Sequence, residues 1–193
     1  MAKSLTDMTN EELWRLFPII LSRHNPAWKD RYFTEKAVIE TEIGAANIIR
    51  ISHIGSTAVP NLLAKPTIDI LLEVKEATDL DQLIAALQGI GYIYSRQPNN
   101  PAPHMMFMKG YTPEGFKGQA YHLHVRYGGD WDELYFRDYL ISHPKTAEEY
   151  VKLKIKLKEK FEFDRDGYTA AKTDFIRKTT KIAREEMPNK YQP

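Results

Sequence analysis

Four polar features interrupt the apolar sequence between residues 53 and 74 of this 193-residue chain, and their chemistry suits a phosphorylated ligand. They are His53, the Gly55-Ser56-Thr57 turn, Lys65 and Asp69. A turn of this composition directs backbone N–H groups outward, where they can hold a phosphate, and Gly55 lets the backbone approach a ligand closely. The same tripeptide is also ordinary loop composition, so the turn alone does not decide between a loop and a phosphate site.

Asp69 lies in the middle of the largely apolar run TIDILLEV. A carboxylate in such a run must be hydrogen-bonded, paired, bound to a metal ion or solvated in a cleft. The structural alternative is a carboxylate that accepts hydrogen bonds from backbone N–H groups at the end of a strand. Because Ser56 and Lys65 flank Asp69 within one short loop, we favour a functional role and place Asp69 in the same site.

A second polar group follows a strict alternation in the sequence QAYHLHVRY, residues 119–127. Successive side chains of a strand point to opposite faces of the sheet. One face therefore carries the apolar side chains, Tyr121, Leu123 and Val125. The other face carries His122, His124 and Arg126. This second face suits metal or anion binding, and the alternative is a solvated outer face.

Hydrophobic periodicity predicts the elements that position these residues. Strands are expected at 47–54, 67–74, 91–96, 104–109 and 119–127, and helices at 9–22, 27–44, 79–88, 130–142, from Pro144 onward, and at 168–186. A loop is expected at 97–103 and a hairpin connection at 111–118, and Trp28 and Phe33 are expected in the core. Helices and strands interleave without a regular βαβ rhythm, which predicts an α+β fold with a mixed or antiparallel sheet and helices on one side.

Composition limits the classes of function. The 27 basic and 26 acidic residues leave a net charge of +1, so the chain has no global field for nucleic acid or anionic membrane. It has no cysteine, which excludes disulfides and thiolate zinc sites and fits a reducing cytoplasm. No stretch has the apolar length of a membrane span or a signal peptide. We expect a cytoplasmic protein that binds neither membrane nor nucleic acid; its oligomeric state stays open.

The run HIGSTAVPNLLAKPTIDI resembles the GrpB-like protein family, a branch of the DNA polymerase β-like nucleotidyltransferase superfamily. The resemblance extends to Pro26-x-Trp28, to the YxxLK element at Tyr150–Lys154 and to the YxxAK element at Tyr168–Lys172. The superfamily usually has a second carboxylate two residues after the first, but this chain has Leu71 there. The usual glycine after the proline is Asn61, a residue that tolerates a left-handed turn.

The resemblance implies a nucleotidyltransferase-type mixed sheet within residues 1–128 and a helical bundle at 129–193, packed as a single unit. It implies a divalent cation, Mg²⁺ or Mn²⁺ or a transition metal, held by Asp69, His122 and His124, with one histidine as an alternative general base. Ser56 and its turn would hold the β- and γ-phosphates, and Lys65 and Arg126 the developing charge. The helical region would add Lys154 and Lys172 as triphosphate contacts and Tyr150 or Tyr168 as a stacking group, although such residues commonly serve solvation and packing.

Three functions follow from these residues. The first is transfer of a nucleoside monophosphate from a nucleoside triphosphate (NTP) to a small acceptor, assisted by a metal ion. The second is a nucleotide- or phosphometabolite-binding protein that has lost transfer chemistry, as Leu71 indicates. The third is metal-assisted hydrolysis of a phosphoester through the histidine-rich strand.

Overall fold

The structure is a computed structural model that describes residues 3–97, 100 and 103–192. Most of the predicted loop at 97–103 lies outside the described residues. The strands are β1 (Ile48–Ile54), β2 (Thr67–Val74), β3 (Ile93–Ser95), β4 (Met105–Thr112) and β5 (Gly115–Tyr127). The helices are α1 (Asn10–Leu16), α2 (Ala27–Ile43), α3 (Leu80–Gly89), α4 (Asp132–Ser142), α5 (Pro144–Phe161), α6 (Arg165–Ala170) and α7 (Thr173–Glu186).

The five strands form one mixed sheet in the order β1-β2-β5-β4-β3. β2 and β5 run parallel, and their register places Asp69 beside His122. The other neighbouring pairs are antiparallel. The predicted α+β class with a mixed sheet is therefore confirmed, and the parallel pair brings the two polar stretches of the sequence together.

The sheet has one largely apolar face, on which His53 and Lys109 are exceptions, and an opposite face that carries the polar residues of the predicted site. On the apolar face, α2 and α3 pack over Ile70 and Leu123 in the main hydrophobic core. On the opposite face, Leu71 packs against Ile54 and against Leu134 of α4. Alternation along β2 explains this division, because Asp69 and Leu71 share the second face.

Two predictions in the N-terminal helices were wrong. The predicted helix at 9–22 has the expected capping box between Thr9 and Glu12 but ends at Leu16. Pro18 follows closely, and a proline restricts the residue before it and lacks a backbone N–H donor. Phe33 is 52% exposed, because the buried stripe of α2 runs through Trp28 and Tyr32 instead.

The polypeptide between the sheet and the later helices is fixed by a buried carboxylate. Glu73 is fully buried, forms an ion pair with Arg50, and accepts a 3.1 Å hydrogen bond from the Gly129 backbone N–H. Arg50 also donates to the Gly129 carbonyl at 2.8 Å. Near the C-terminus, the backbone N–H of Tyr191 donates to the Tyr135 hydroxyl. Hydrogen bonds thus attach the start of the helical region to the sheet and its C-terminal end to α4.

The C-terminal helices differ from prediction at one point that matters for the site. The ambiguous run VKLKIKLK lies in the helix α5, as predicted. The predicted single helix at 168–186 is divided into α6 and α7, and Lys172 is the residue just before α7. Among the described residues, no helix is both long and apolar enough to cross a membrane.

Candidate functional site

A cavity of about 1300 Å³ lies between the polar face of the sheet and the helices α5, α6 and α7. Ligand pockets commonly occupy about 300–1,000 Å³, so this cavity has room for a nucleotide. It is lined by most of the predicted site residues, namely Gly55, Ser56, Lys65, Asp69, His122, His124, Tyr150, Lys154, Tyr168 and Lys172. Of the other predicted residues, His53, Thr57 and Arg126 do not line it.

Asp69 lines this cavity from β2, and two histidines of β5 face it. His122 Nδ1 lies 3.1 Å and His124 Nε2 lies 3.9 Å from Asp69 Oδ1. Burial would raise the pKa of Asp69, but its interactions with His122 and His124 outweigh burial and hold the pKa well below its usual range. Asp69 is therefore ionised at neutral pH.

The Gly-Ser-Thr turn packs directly against this carboxylate. Gly55 has a φ of 69°, in the left-handed region that favours glycine. A Cβ atom at this position would lie 2.3 Å from Asp69 Oδ2, which is closer than real contacts allow. Ser56 begins a short 3₁₀ turn that faces the cavity. The glycine therefore permits a close approach to Asp69, in addition to any approach to a ligand.

Lys154 reaches from α5 to the turn. Its Nζ donates to Ser56 Oγ at 3.2 Å and to the carbonyl of Leu63, and the side chain is almost fully buried. The Nζ also lies 4.6 Å from the centroid of the Tyr150 ring, one helical turn earlier. Such cation–π contacts stabilise an ammonium that has lost part of its hydration.

Lys172 and Lys65 approach the cavity from two other elements. Their Nζ atoms lie 4.5 Å and 5.7 Å from the centroid of the Tyr168 ring. Burial, together with neighbouring positive charges, lowers the pKa of Lys65 and of Lys154 to about 7. Burial also lowers the pKa of Lys172 to about 8. A bound anion would favour the protonated forms, so these lysines suit a ligand with several negative charges.

The structure gives the two tyrosines a different environment from the one expected of a stacking group. The Tyr150 ring is stacked on Phe175, with ring centroids 5.1 Å apart, and Lys154 approaches the same ring. Lys65 and Lys172 both approach the Tyr168 ring, and its hydroxyl is buried without a hydrogen-bond partner among the described residues. Both rings hold lysines in place, and neither offers an open face to a base.

Arg126 and Thr57 lie apart from the cavity. Arg126 lies two residues beyond His124 on β5, where its Nη1 donates to the carbonyls of Val125 and Met105. Its guanidinium carbon lies 5.9 Å from the Trp131 ring. The Thr57 hydroxyl is buried and donates to the carbonyl of Thr67 at 3.2 Å, which connects the turn to β2.

Tyr111 and Arg165 are cavity residues that sequence reasoning missed and that contact the predicted site. The Tyr111 hydroxyl lies 2.7 Å from His122 Nε2, and Arg165 Nη2 lies 3.4 Å from the same hydroxyl. Tyr111 was placed in a hairpin connection, but β4 continues to Thr112 and β5 starts at Gly115. Arg165 had no signal in the sequence, because its role depends on the packing of α6 against the sheet.

The side chains of the predicted metal site do not suit a metal ion that is held by the protein alone. Both ring nitrogens of His122 are occupied, one by Asp69 and the other by Tyr111. Among the described residues, no group of three His, Asp or Glu side chains has an arrangement that could hold a metal ion. Lys65 and Lys172 add positive charge beside Asp69, which opposes a cation unless ligand phosphates bind with it.

Comparison with known proteins identifies relatives along most of the chain. A family model described as "GrpB protein" matches residues 18–182. A UPF0157 protein of Pseudomonas aeruginosa is 39% identical over 153 residues, which cover 79% of this chain and 62% of that protein. The glutamate-rich protein GrpB of Alkalihalophilus pseudofirmus is 35% identical over 162 residues, which cover 82% of this chain and 91% of that protein.

A solved structure has the same fold. The crystal structure of the conserved protein GrpB from Enterococcus faecalis is similar with a TM-score of 0.75 and 30% sequence identity. The match covers 86% of this chain and 98% of the crystallised chain. The alignment to the Pseudomonas protein spans less than two thirds of that protein's length.

Proposed function

Since this chain belongs to the GrpB family, we propose that it binds an NTP in the cavity and transfers the nucleoside monophosphate to a small acceptor. Membership of the family, predicted from the central motif, is confirmed by the comparisons. The observation that carries the proposal is the convergence of the buried Lys154 and the half-buried Lys65 and Lys172 with Ser56 and the ionised Asp69. Phosphoryl-type transfer requires mainly positioning and neutralisation of charge, and these groups supply both.

In the proposed reaction, the acceptor oxygen attacks the α-phosphorus and the bond to the β-phosphate breaks, so that pyrophosphate leaves. His124 takes the proton of the acceptor hydroxyl, since its ring lines the cavity and its Nε2 faces Asp69 at 3.9 Å. Lys154, next to Ser56, stabilises the charge that develops on the departing pyrophosphate. A divalent cation stays a prediction, and substrate phosphates would have to complete its ligands.

A second candidate, binding without transfer, has one observation in its favour. Leu71 occupies the position of the usual second carboxylate, and it is fully buried against Ile54 and Leu134. No charged group could replace it there without a large cost of desolvation. This candidate keeps the lysines and the turn as a phosphate-binding surface but assigns no chemistry to Asp69.

Calorimetric titration with ATP, GTP, CTP and UTP, each with and without Mg²⁺ or Mn²⁺, tests the proposal. We expect one nucleotide to bind the wild-type protein with a dependence on the cation, and the Asp69→Asn variant to bind it without that dependence. Pyrophosphate release in a screen of hydroxyl and amine acceptors should be lost in the same variant. The exposed Asp81→Asn on α3 is the matched control.

Three outcomes separate the candidates. Pyrophosphate release that requires Asp69 supports the transferase. Nucleotide binding without release, unchanged by Asp69→Asn, supports a binding protein. If no nucleotide binds under any condition, both nucleotide proposals are wrong.

The lowered pKa values of the lysines predict that nucleotide binding takes up protons. At pH 8, Lys65 and Lys154 are mostly neutral and Lys172 is about half protonated, given pKa values of about 7, 7 and 8. Because a polyphosphate favours the charged amines, binding at this pH should take up on the order of one to two protons, and affinity should fall from pH 7 to pH 9.

Calorimetry in buffers of different ionisation enthalpy measures this number directly. The proton count should fall by up to about one in Lys154→Met, since that variant loses one titrating amine. A binding heat that is independent of the buffer at pH 8 would mean that the lysines do not contact the ligand as charged groups.

A further inference from the structure

Four side chains from four elements form one continuous chain of hydrogen bonds beneath the cavity. Arg165 of α6 donates from Nη2 to the Tyr111 hydroxyl of β4 at 3.4 Å. That hydroxyl lies 2.7 Å from His122 Nε2 of β5, and His122 Nδ1 lies 3.1 Å from Asp69 Oδ1 of β2. Tyr111 and His122 are only 7% and 8% exposed, so solvent does not compete for these bonds.

The direction of each hydrogen bond follows from the two residues at the ends of this series, Arg165 and Asp69. A guanidinium can only donate and an ionised carboxylate can only accept. His122 must therefore carry its proton on Nδ1 and donate it to Asp69. In a neutral imidazole this leaves a lone pair on Nε2, which accepts from the Tyr111 hydroxyl. The oxygen of Tyr111 is then free to accept from Arg165, and every bond in the chain is satisfied.

A backbone irregularity places Tyr111 on this face of the sheet. The pairing of β4 with β5 shifts register between Lys109 and Tyr111. Lys109 points to the other face, where it pairs with Glu35 of α2. Regular alternation would turn Tyr111 the same way, but the bulge at Gly110 reverses it. Gly110 has a φ of 86°, and a Cβ there would lie 2.5 Å from the Gln119 carbonyl oxygen.

Ring packing reinforces the arrangement. The rings of Tyr111 and His122 are stacked, with centroids 5.7 Å apart and an angle of 16° between planes. His124 meets His122 edge-on. The phenol therefore restrains the imidazole by both contact and hydrogen bond.

We infer that Tyr111 is a positioning residue that fixes His122 in its Nδ1–H tautomer, so that His122 orients Asp69 and has no ring nitrogen left for a cation. The catalytic significance of orienting Asp69 rests on the proposed function, because only that function gives Asp69 a role in transfer. The tautomer and the engagement of both nitrogens are properties of the ligand-free protein. Arg165 completes the chain and brings the helical region into contact with the carboxylate site.

Nitrogen-15 NMR of histidine-labelled, ligand-free protein tests the inference at a pH where His122 is neutral. In the wild type, the Nδ1 resonance of His122 should be that of a protonated nitrogen and the Nε2 resonance that of an unprotonated, hydrogen-bonded one. Tyr111→Phe keeps the ring and removes the donor, so Nε2 should move further downfield. Tyr121→Phe, whose ring lies on the opposite face of β5, should leave both resonances in place.

Zn²⁺ alone is the second probe. We expect added Zn²⁺ to leave both His122 nitrogen resonances of the wild-type protein unchanged. A wild-type protein with the proton on Nε2, an unshifted Nε2 in Tyr111→Phe, or Zn²⁺ coordinated by His122 would each overturn the inference. These measurements need no nucleotide, so they succeed or fail separately from the proposed transferase activity.

Discussion

Replacement of Lys154 by methionine is expected to weaken NTP binding about 100-fold, which corresponds to about 2.7 kcal/mol. Lys154 is 2% exposed, and its Nζ lies 3.2 Å from Ser56 Oγ in the turn that we assign to the phosphates. Hydrogen bonds to charged groups contribute about 1.5–3 kcal/mol, and a buried site reduces their competition with water. Methionine keeps the length and apolar stem of the side chain but cannot carry a charge.

The variant should fold, because two effects on stability oppose each other. The carbonyl of Leu63 loses its hydrogen bond with Lys154, which costs about 1–3 kcal/mol, whereas a buried amine that resists protonation is removed. Calorimetric Kd values and urea denaturation would be measured in parallel with Lys156→Met, an exposed position on the same helix. Equal Kd values for the two variants would show that Lys154 does not contact the ligand.

Gly55→Ala is expected to lower the free energy of unfolding by about 3 kcal/mol. With a ψ of −172°, Gly55 lies in a backbone region that is essentially restricted to glycine, where another residue costs about 1–3 kcal/mol, and overpacking of a filled site costs about 1–3 kcal/mol more. Both costs apply here, since Gly55 has a φ of 69° and its Cβ would lie 2.3 Å from Asp69 Oδ2. The displaced carboxylate should also reduce any turnover.

Gly118→Ala is a closely matched control for this variant. Gly118 has a φ of 71°, but a Cβ there would meet nothing within 4 Å. It should therefore show only the conformational cost, and the difference between the two variants measures the contact with Asp69. Urea denaturation gives both values. Equal losses in the two variants would show that the turn does not press on the carboxylate.

The sequence predicted well what depends on local periodicity. Alternation put Asp69 and Leu71 on one face of β2 and His122 and His124 on one face of β5, and the structure has these faces. The neighbouring positions of the two strands came from the family resemblance, because strand order is a property of the whole fold. Spacing of four residues likewise put Tyr150 and Lys154 on one face of α5.

The features of the site that the sequence did not predict have physical causes. Tyr111 was missed because residues 111–118 were predicted as a hairpin connection, whereas β4 continues past the bulge at Gly110 to Thr112. The environment of Tyr150 was missed because Phe175, which covers one face of its ring, comes from a different helix. For Arg126, the sequence itself indicated a position outside the site, because four residues of strand place it about 13 Å from His122.

The buried carboxylate of Glu73 limits where this polypeptide can be divided by truncation or recombination. Its buried carboxylate belongs to the sheet, but one of its partners is the backbone of Gly129, at the first residue of the helical region. A fragment that ends at residue 128 would keep the ion pair with Arg50 but leave this buried charge with one donor fewer, at a cost of about 1–3 kcal/mol. The border between sheet and helices is therefore a poor place for exchange of modules, and the two regions should unfold cooperatively and be inherited together.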